Sequence, residues 1–209
     1  YDIRGNSSQD LPDDIVKKIG SILGEYVKEF GDSSIYLGHD SRLSKDRIKE
    51  SLISGIHSVG GDVYYLGLVP TPMVYYATKK GSSNHGVMIT GSHNPKEDNG
   101  MKIVINGNPV SGHEIKQRVM NYTDVKNSSG KIVNQDFTLD YLDEIQKNAP
   151  IGKKMKVVLD AGNGAAGPLA RKVFEKIGLK IISINEEPDG NFPNHHPDPG
   201  KEKNLIQLK

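Results

Sequence analysis

Segments with apolar residues at helical spacing alternate with short apolar runs, and this alternation restricts the fold more than any other feature of the sequence. Residues 11–30 carry apolar side chains along one helical face and end at Gly31, a residue that favours helix termination. Further helices are predicted around residues 48–59 and 71–79, with strands at residues 34–38, 62–67, 86–90 and 102–106. This order predicts an α/β fold with a mixed, largely parallel sheet sandwiched by helices.

A polar stretch at residues 122–134 is predicted to be a loop that divides the chain into two units. Residues 1–135 are expected to form an N-terminal α/β domain. After a predicted helix at residues 137–147, a strand, a tight turn, a helix and a strand cover residues 155–184. Residues 136–209 are therefore expected to belong to a second domain of similar α/β type. Its two strands and one or two helices are too few for a full core, so we expect it to be incomplete.

The composition excludes several classes of function. Lys plus Arg is 27 and Asp plus Glu is 26, so the net charge is +1 and does not favour nucleic acid or an anionic membrane as a partner. The absence of cysteine excludes disulfides, thiolate metal sites and a cysteine nucleophile. No apolar run approaches the ~20 residues that span a bilayer. We therefore expect a cytoplasmic protein with no membrane or nucleic-acid partner; the sequence does not indicate an oligomeric state.

The segment Thr-Gly-Ser-His-Asn-Pro at residues 90–95 carries the most informative chemistry. Ser92 follows Gly91 directly after a predicted strand, where a sharp turn would expose its hydroxyl at the edge of the sheet. A hydrolase nucleophile elbow is disfavoured, because Asn94 stands where the Gly-x-Ser-x-Gly pattern needs glycine. From this segment alone, a serine that only makes a turn hydrogen bond is favoured over a reactive one.

Other segments occur in a fixed order around this loop. They are Tyr-Asp-Ile-Arg-Gly at 1–5, Gly-His-Asp-Ser-Arg at 38–42, Val-Pro-Thr-Pro at 69–72, Asn-Gly-Met-Lys-Ile at 99–103, Asp-Ala-Gly-Asn-Gly-Ala-Ala-Gly at 160–167 and Asp-Gly-Asn-Phe-Pro-Asn-His-His-Pro-Asp-Pro at 189–199. With the 90–95 loop, they resemble the α-D-phosphohexomutase family from first residue to last. The final block is most similar to the bifunctional phosphomannomutase/phosphoglucomutase branch.

The resemblance implies roles for particular residues. Ser92 would hold a phosphoryl group, give it to the sugar and, through that phosphate, be one ligand of a magnesium ion. Lys102 would lie near the phosphoserine and exchange a proton with the attacking sugar hydroxyl. The other implied site residues are Arg4, which would face the phosphoserine, His93 and Asn94, which would position substrate or proton, and Tyr1, which would contact the sugar.

The implied function is that of an isomerase, interconverting hexose 1-phosphates and 6-phosphates of mannose and glucose through phospho-Ser92 and a bisphosphorylated intermediate. Magnesium and a glucose 1,6-bisphosphate-type activator are the implied cofactors. The family's Asp-x-Asp-x-Asp magnesium loop and its later sugar and phosphate loops have no match here. We therefore expect the N-terminal part of a longer mutase, inactive by itself. A phosphoglucosamine mutase and a non-catalytic sugar-phosphate-binding module are the alternatives.

Two further motifs have simpler interpretations. Gly162, Gly164 and Gly167 match a Gly-x-Gly-x-x-Gly dinucleotide fingerprint, but the acidic partner about 20 residues further on is only loosely matched. We interpret these glycines as a tight turn from strand to helix. His195 and His196 are adjacent in a proline-rich segment and lack the i,i+4 spacing of a helical zinc site, so we expect them to order the loop by hydrogen bonding.

Overall fold

Strands and helices alternate along the computed structural model, which describes residues 2–123, 128–149 and 155–209. The strands are β1 (Ile3–Asn6), β2 (Ser34–His39), β3 (Asp62–Leu68), β4 (Gly86–Ile89), β5 (Asp98–Ile105), β6 (Asn108–Val110), β7 (Ile132–Asn134), β8 (Lys156–Asp160) and β9 (Lys180–Ile184). The helices are α1 (Asp13–Lys28), α2 (Lys45–Ser58), α3 (Thr71–Lys80), α4 (Gly112–Asn121), α5 (Thr138–Asn148) and α6 (Gly167–Lys176), with a short 3-10 helix at Glu202–Leu205.

One sheet organises the first unit. Among the described residues it contains seven strands in the order β1-β5-β4-β2-β3-β7, with β6 beside β5. Strands β4, β2, β3 and β7 run parallel to one another, whereas β5 runs antiparallel to β1, β4 and β6. The prediction of a mixed, largely parallel sheet is confirmed.

The sheet has helices on both faces because its central strands are apolar on both sides. In β2, the buried side chains of Ile35 and Leu37 join the cluster formed with α1 and α2, whereas Tyr36 points to the opposite face and packs with Val74 of α3. Successive side chains of a strand point to opposite faces, so one apolar strand fills both cores. The sandwich places the carboxyl ends of β2 and β4 at one exposed edge.

Helices α1 and α2 approach closely where each has a glycine. A Cβ at Gly20 would lie 2.2 Å from the Leu52 carbonyl oxygen, and a Cβ at Gly55 would lie 1.9 Å from that of Lys17. Both neighbours are backbone atoms, so neither glycine can gain a side chain unless the two helices move apart.

The second unit is small in the described structure. Strands β8 and β9 form a parallel two-stranded sheet with α6 against it. Leu142 of α5 and Leu169 of α6 pack with Met73 of α3, which joins this unit to the first. The boundary between residues 135 and 136 stays a prediction. None of the helices in the described ranges combines the length and the apolar character that crossing a bilayer requires.

The loop predicted at residues 122–134 is partly wrong. Ile132–Asn134 form β7, which pairs with β3 in parallel, with Val63 opposite Ile132. The strand is only three residues long, lies exposed at the sheet edge and stands in a polar stretch, so its two apolar residues, Ile132 and Val133, were not recognised as a strand. Residues 124–127 lie outside the described structure. The sequence reasoning also missed β1, β6 and α4, although Ser111 caps α4 by accepting a hydrogen bond from the Glu114 N–H.

Candidate active site

The predicted serine loop leaves β4 at the exposed carboxyl edge of the sheet. Ser92 lies three positions after Ile89, the last residue of β4, and its side chain is exposed. Its φ is 57°, in the left-handed region, which costs an L-residue roughly 1–2 kcal/mol. Such a conformation persists only where neighbouring contacts impose it. The loop is therefore a constrained elbow that presents the Ser92 hydroxyl outward, as the sequence predicted.

The carboxylate of Asp40, just after β2, holds the first part of the elbow. Its Oδ2 accepts hydrogen bonds from Thr90 Oγ1 at 2.7 Å and from the Gly91 N–H at 3.3 Å. Thr90 Oγ1 in turn accepts the Ser92 N–H at 2.8 Å. Asp40 and Thr90 are both buried, so these bonds are shielded from competing water.

Arg42 holds the rest of the loop. Its side chain is fully buried, and its Nε donates to Asp40 Oδ2 at 3.2 Å. Nη1 donates to the carbonyl oxygens of Pro95 and of Asp98, the latter at 2.9 Å. Nη2 donates to those of Ser92 at 3.0 Å and Asn94 at 2.8 Å. A guanidinium has five N–H donors, so every one of them has an acceptor here.

Two cations, Arg4 of β1 and Lys102 of β5, are linked to each other near this loop. Arg4 lies opposite Gly100 of β5, and its Nη1 donates to Asn94 Oδ1 at 3.3 Å. Asp2 Oδ2 accepts from Arg4 Nη2 at 3.0 Å and from Lys102 Nζ at 2.6 Å. Burial acts to raise the pKa of Asp2, but the hydrogen bonds and charges of Lys102 and Arg4 outweigh it, so the pKa is lowered. Asp2 therefore stays ionised and ties the two cations together.

The predicted position of Lys102 needs one correction. The sequence reasoning put it at the start of a strand, but it lies within β5, opposite Met88 of β4. The strand begins earlier because the polar residues Asp98 and Asn99 pair with β1, a strand that was not predicted. The return of β5 past the serine loop is as expected, and the hydrogen bond that the structure gives the Lys102 ammonium goes to Asp2.

Ser92 and His93 face a cavity of about 490 Å³ between the two units. Its other wall includes Asp160, Phe192 and His195. The remaining predicted residue, Tyr1, lies outside the described structure. Ser92, His93 and Asn94 thus share one loop, which contacts Arg4 through Asn94 and, among the described residues, is linked to Lys102 only through Arg4 and Asp2. A cavity large enough for a sugar phosphate opens in front of the serine.

The glycine turn of the second unit is the tight strand-to-helix turn that the sequence predicted, with Gly162 at a φ of 54°. Asp160 Oδ1 accepts the Gly162 N–H at 2.9 Å, and Oδ2 contacts His195 Nε2 at 3.0 Å. Burial acts to raise the pKa of Asp160, but hydrogen bonds from Asn185, Gly162 and His195 lower it overall. His195 orders this loop, as expected, whereas the buried Nδ1 of His196 has no hydrogen-bond partner among the described residues.

Asp2, Asp40 and Arg42 were not singled out from the sequence as site residues. Each stands within a motif that the sequence analysis noted, at residues 1–5 and 38–42. Their importance comes from partners 50 to 100 positions away, such as Ser92 for Arg42 and Lys102 for Asp2. One signal was available: a charged Asp-x-Arg pair directly after an apolar strand implies that both charges are partly buried at the end of that strand.

The described residues fit a magnesium site only in part. Within residues 2–123, 128–149 and 155–209, no group of three or more His, Cys, Asp or Glu side chains is arranged to hold a metal ion. A phosphate on Ser92 would offer one oxygen ligand, in accord with the preference of magnesium for phosphate and carboxylate oxygens. The remaining ligands are not among these side chains.

Comparison with known proteins agrees with the resemblance read from the motifs. The profile of phosphoglucomutase/phosphomannomutase alpha/beta/alpha domain I matches residues 1–128, and that of domain II matches residues 139–209. A phosphomannomutase/phosphoglucomutase from Pseudomonas syringae pv. tomato is 40% identical over 211 residues, covering 100% of this chain and 45% of the relative. A probable phosphoglucosamine mutase from Methanothermobacter thermautotrophicus is 38% identical over 188 residues, covering 85% and 41%.

The solved structure of a phosphoglucomutase/phosphomannomutase family protein from Burkholderia thailandensis matches with a TM-score of 0.91 and 34% identity. The match covers 100% of this chain and 48% of that structure. The chain thus spans about half the length of the relatives it matches. The predicted family and fold are both confirmed: the chain belongs to the phosphoglucomutase/phosphomannomutase family, of which it carries domain I and domain II sequence.

Proposed function

We propose that this chain is the N-terminal part of a phosphohexomutase in which Ser92 carries the phosphoryl group. One observation supports this most: an exposed serine is held in a left-handed elbow, the guanidinium of Arg4 donates to Asn94 of the same loop, and Asp2 links Arg4 to the ammonium of Lys102. Phosphoryl transfer spreads negative charge over the transferred group, and catalysis depends on positioning and on nearby positive charge. The constrained serine loop provides the positioning, and the linked cations Arg4 and Lys102 provide the positive charge.

The proposed step is an exchange of one P–O bond for another. A sugar hydroxyl oxygen bonds to phosphorus as the bond between phosphorus and Ser92 Oγ breaks, and the net movement of the proton is from the sugar hydroxyl to Ser92 Oγ. Lys102 is the proposed participant in that proton transfer, and Arg4 stabilises the phosphoryl charge. His93 and Asn94 orient the sugar. Magnesium bound to the phosphate on Ser92 would neutralise part of its charge.

The reverse step then completes the isomerisation. The bisphosphorylated sugar turns over in the cavity, and its other phosphate returns to Ser92. We propose glucose and mannose phosphates as substrates, which the name of the Pseudomonas relative supports, and a glucose 1,6-bisphosphate-type activator that loads the serine. A cytoplasmic location stays a prediction that rests on the absence of cysteine.

A phosphoglucosamine mutase is the second candidate, because the Methanothermobacter relative carries that name at 38% identity. The two candidates share the serine chemistry and differ in the sugar. Comparison of kcat/KM for glucose 1-phosphate, mannose 1-phosphate and glucosamine 6-phosphate on the full-length protein separates them. We expect the first two to be preferred; a preference for the glucosamine phosphate would reassign the substrate and leave the role of Ser92 unchanged.

The direct test of the proposed function is Ser92→Ala in the full-length protein, with Ser82→Ala as the matched control. Ser82 is also exposed, but it precedes the amino end of β4, whereas Ser92 follows the carboxyl end. We expect Ser92→Ala to abolish mutase turnover with an unchanged circular dichroism spectrum, and Ser82→Ala to keep wild-type turnover. Substantial turnover in Ser92→Ala would refute the assignment of Ser92, whereas a wild-type protein that binds hexose phosphates without turnover would favour a non-catalytic binding role.

A further inference from the structure

A buried arginine stands at the centre of the serine loop and takes no part in the proposed chemistry. Arg42 is 0% exposed and is the largest of the fully buried side chains. Burying a charge is costly unless it is paired and hydrogen-bonded. The carboxylate of Asp40 balances the charge, but the other four acceptors are backbone carbonyls of a single loop, at Ser92, Asn94, Pro95 and Asp98. The arginine is therefore matched to the shape of that loop.

The contacts of Arg42 determine the direction of the Ser92 side chain. The peptide before Ser92 is fixed because its N–H donates to Thr90 Oγ1, and the peptide after Ser92 is fixed because its carbonyl accepts from Arg42. With both flanking peptides held, φ and ψ of Ser92 are determined, and so is the direction of its Cα–Cβ bond. Only the χ1 rotation of the hydroxyl remains free.

The second unit docks on the same arginine. The Phe192 ring lies 5.4 Å from the Arg42 guanidinium carbon. Gly190 packs so tightly that a Cβ there would lie 2.5 Å from the Ser41 carbonyl oxygen. Ser41 Oγ also donates to the Asn163 carbonyl at 3.2 Å. The segment around Arg42 is thus in contact with two loops of the second unit.

We propose that Arg42 is a positioning residue, which sets the orientation of Ser92 for phosphoryl transfer, and that Phe192 of the second unit keeps Arg42 in place. The proposal rests on the proposed function, since it concerns the same serine. Docking of the second unit then contributes to the reactivity of Ser92 as well as to the wall of the cavity. The effect of losing Arg42 falls on the chemical step and leaves substrate affinity nearly unchanged.

The test uses the full-length protein and the variants Arg42→Lys and Phe192→Leu. Arg47→Lys is the matched control, because Arg47 also donates to backbone carbonyls, of Ser7 and Leu11, but does not contact the serine loop. The reaction is phosphorylation of Ser92 by glucose 1,6-bisphosphate in a single turnover, followed by intact-mass spectrometry. Steady-state kcat and KM are measured alongside, and hydrogen exchange of residues 91–98 reports the order of the loop.

Lysine keeps the charge but offers three donors for five acceptors, so it cannot restore the loop. We expect Arg42→Lys to slow Ser92 phosphorylation about 10²-fold, as misplacement of a reacting group by about 1 Å does, with faster exchange in residues 91–98. KM should change by less than about threefold, as expected when ground-state binding is kept. Phe192→Leu should cause a smaller loss, of about three- to tenfold. Arg47→Lys should lose thermal stability without slowing the reaction.

Thr90→Val keeps the proposal testable if Arg42→Lys does not fold. It removes the hydroxyl that accepts the Ser92 N–H at nearly constant volume, whereas Thr90→Ser keeps that hydroxyl. We expect the valine variant to react slowly and the serine variant to react normally. If Ser92 is phosphorylated at the same rate in the wild type and in every folded variant of Arg42 and Thr90, the positioning role is overturned and the proposed function stands. A wild-type protein whose Ser92 takes no phosphate would overturn the proposed function, and the positioning role with it.

Discussion

Replacement of Gly91 by alanine tests the packing of the serine loop with the smallest possible change. A Cβ at Gly91 would lie 2.4 Å from both Cζ and Nε of Arg42. That is about 1 Å closer than an ordinary contact of roughly 3.5 Å. Gly91 is not among the residues with positive φ, so the alanine backbone itself is unstrained and the whole effect comes from Arg42.

Neither partner can move freely to relieve this contact. The guanidinium is held by five acceptors, and the loss of hydrogen bonds to a charged group costs about 1.5–3 kcal/mol each. Overpacking of a buried site costs about 1–3 kcal/mol. Of the two partners, we expect the loop to move outward more easily than the guanidinium. Ser92 then shifts by about 1 Å, and the chemical step slows about 10²-fold.

The assay is kcat of the full-length Gly91→Ala variant, together with its thermal unfolding midpoint. Gly200→Ala is the control, because its Cβ would meet only the Asp198 side chain, at 3.1 Å. We expect a modest fall in the midpoint and a large fall in kcat for Gly91→Ala, with little change in the control. A Gly91→Ala variant with kcat within about twofold of wild type would refute the claim that Arg42 and Gly91 determine the shape of the loop, since the predicted loss is about 10²-fold.

Three further predictions concern stability and charge. Gly55→Ala should destabilise the protein in denaturant titrations: alanine gains about 1 kcal/mol of helix propensity, but the clash with the Lys17 carbonyl costs about 1–3 kcal/mol; a more stable variant would contradict this. Burial lowers the pKa of His85 from its ordinary 6.5, against the opposing charge of Asp32. The unfolded state therefore binds more protons below pH 6.5, and the unfolding free energy should fall as the pH drops through that window; a His85→Gln variant that keeps the full pH dependence would exclude this histidine. Asp2→Asn should lower kcat while leaving the thermal midpoint nearly unchanged, because a partly exposed ion pair contributes about 0–1 kcal/mol, and an unchanged kcat would show that Asp2 does not organise the cations.

The strongly periodic elements could be predicted from the sequence because their burial pattern is local. The helix predicted at residues 11–30 is Asp13–Lys28, and the strand predicted at residues 34–38 is Ser34–His39. Strand β7 and strand β1 could not be predicted, because each is short and is stabilised by backbone pairing with a distant strand. The sequence of a short segment does not show that a distant strand is available to pair with it.

The candidate site divides in the same way. Ser92 could be found because glycine, serine and proline after an apolar strand indicate a constrained turn. Arg42 could not be assigned to the loop, because its acceptors are carbonyl oxygens, and a carbonyl is present at every residue whatever its side chain. Asp2 was missed because its two cationic partners converge only when β1 pairs with β5.

The central claim is that Ser92 carries the phosphoryl group. Its most direct test is peptide-level mass spectrometry of the full-length protein after incubation with glucose 1,6-bisphosphate, followed by a chase with glucose 6-phosphate. The account predicts one phosphate on the peptide that contains Ser92, and its loss to the sugar during the chase. A phosphate on another residue, or an unmodified chain that still turns over hexose phosphates, would contradict it.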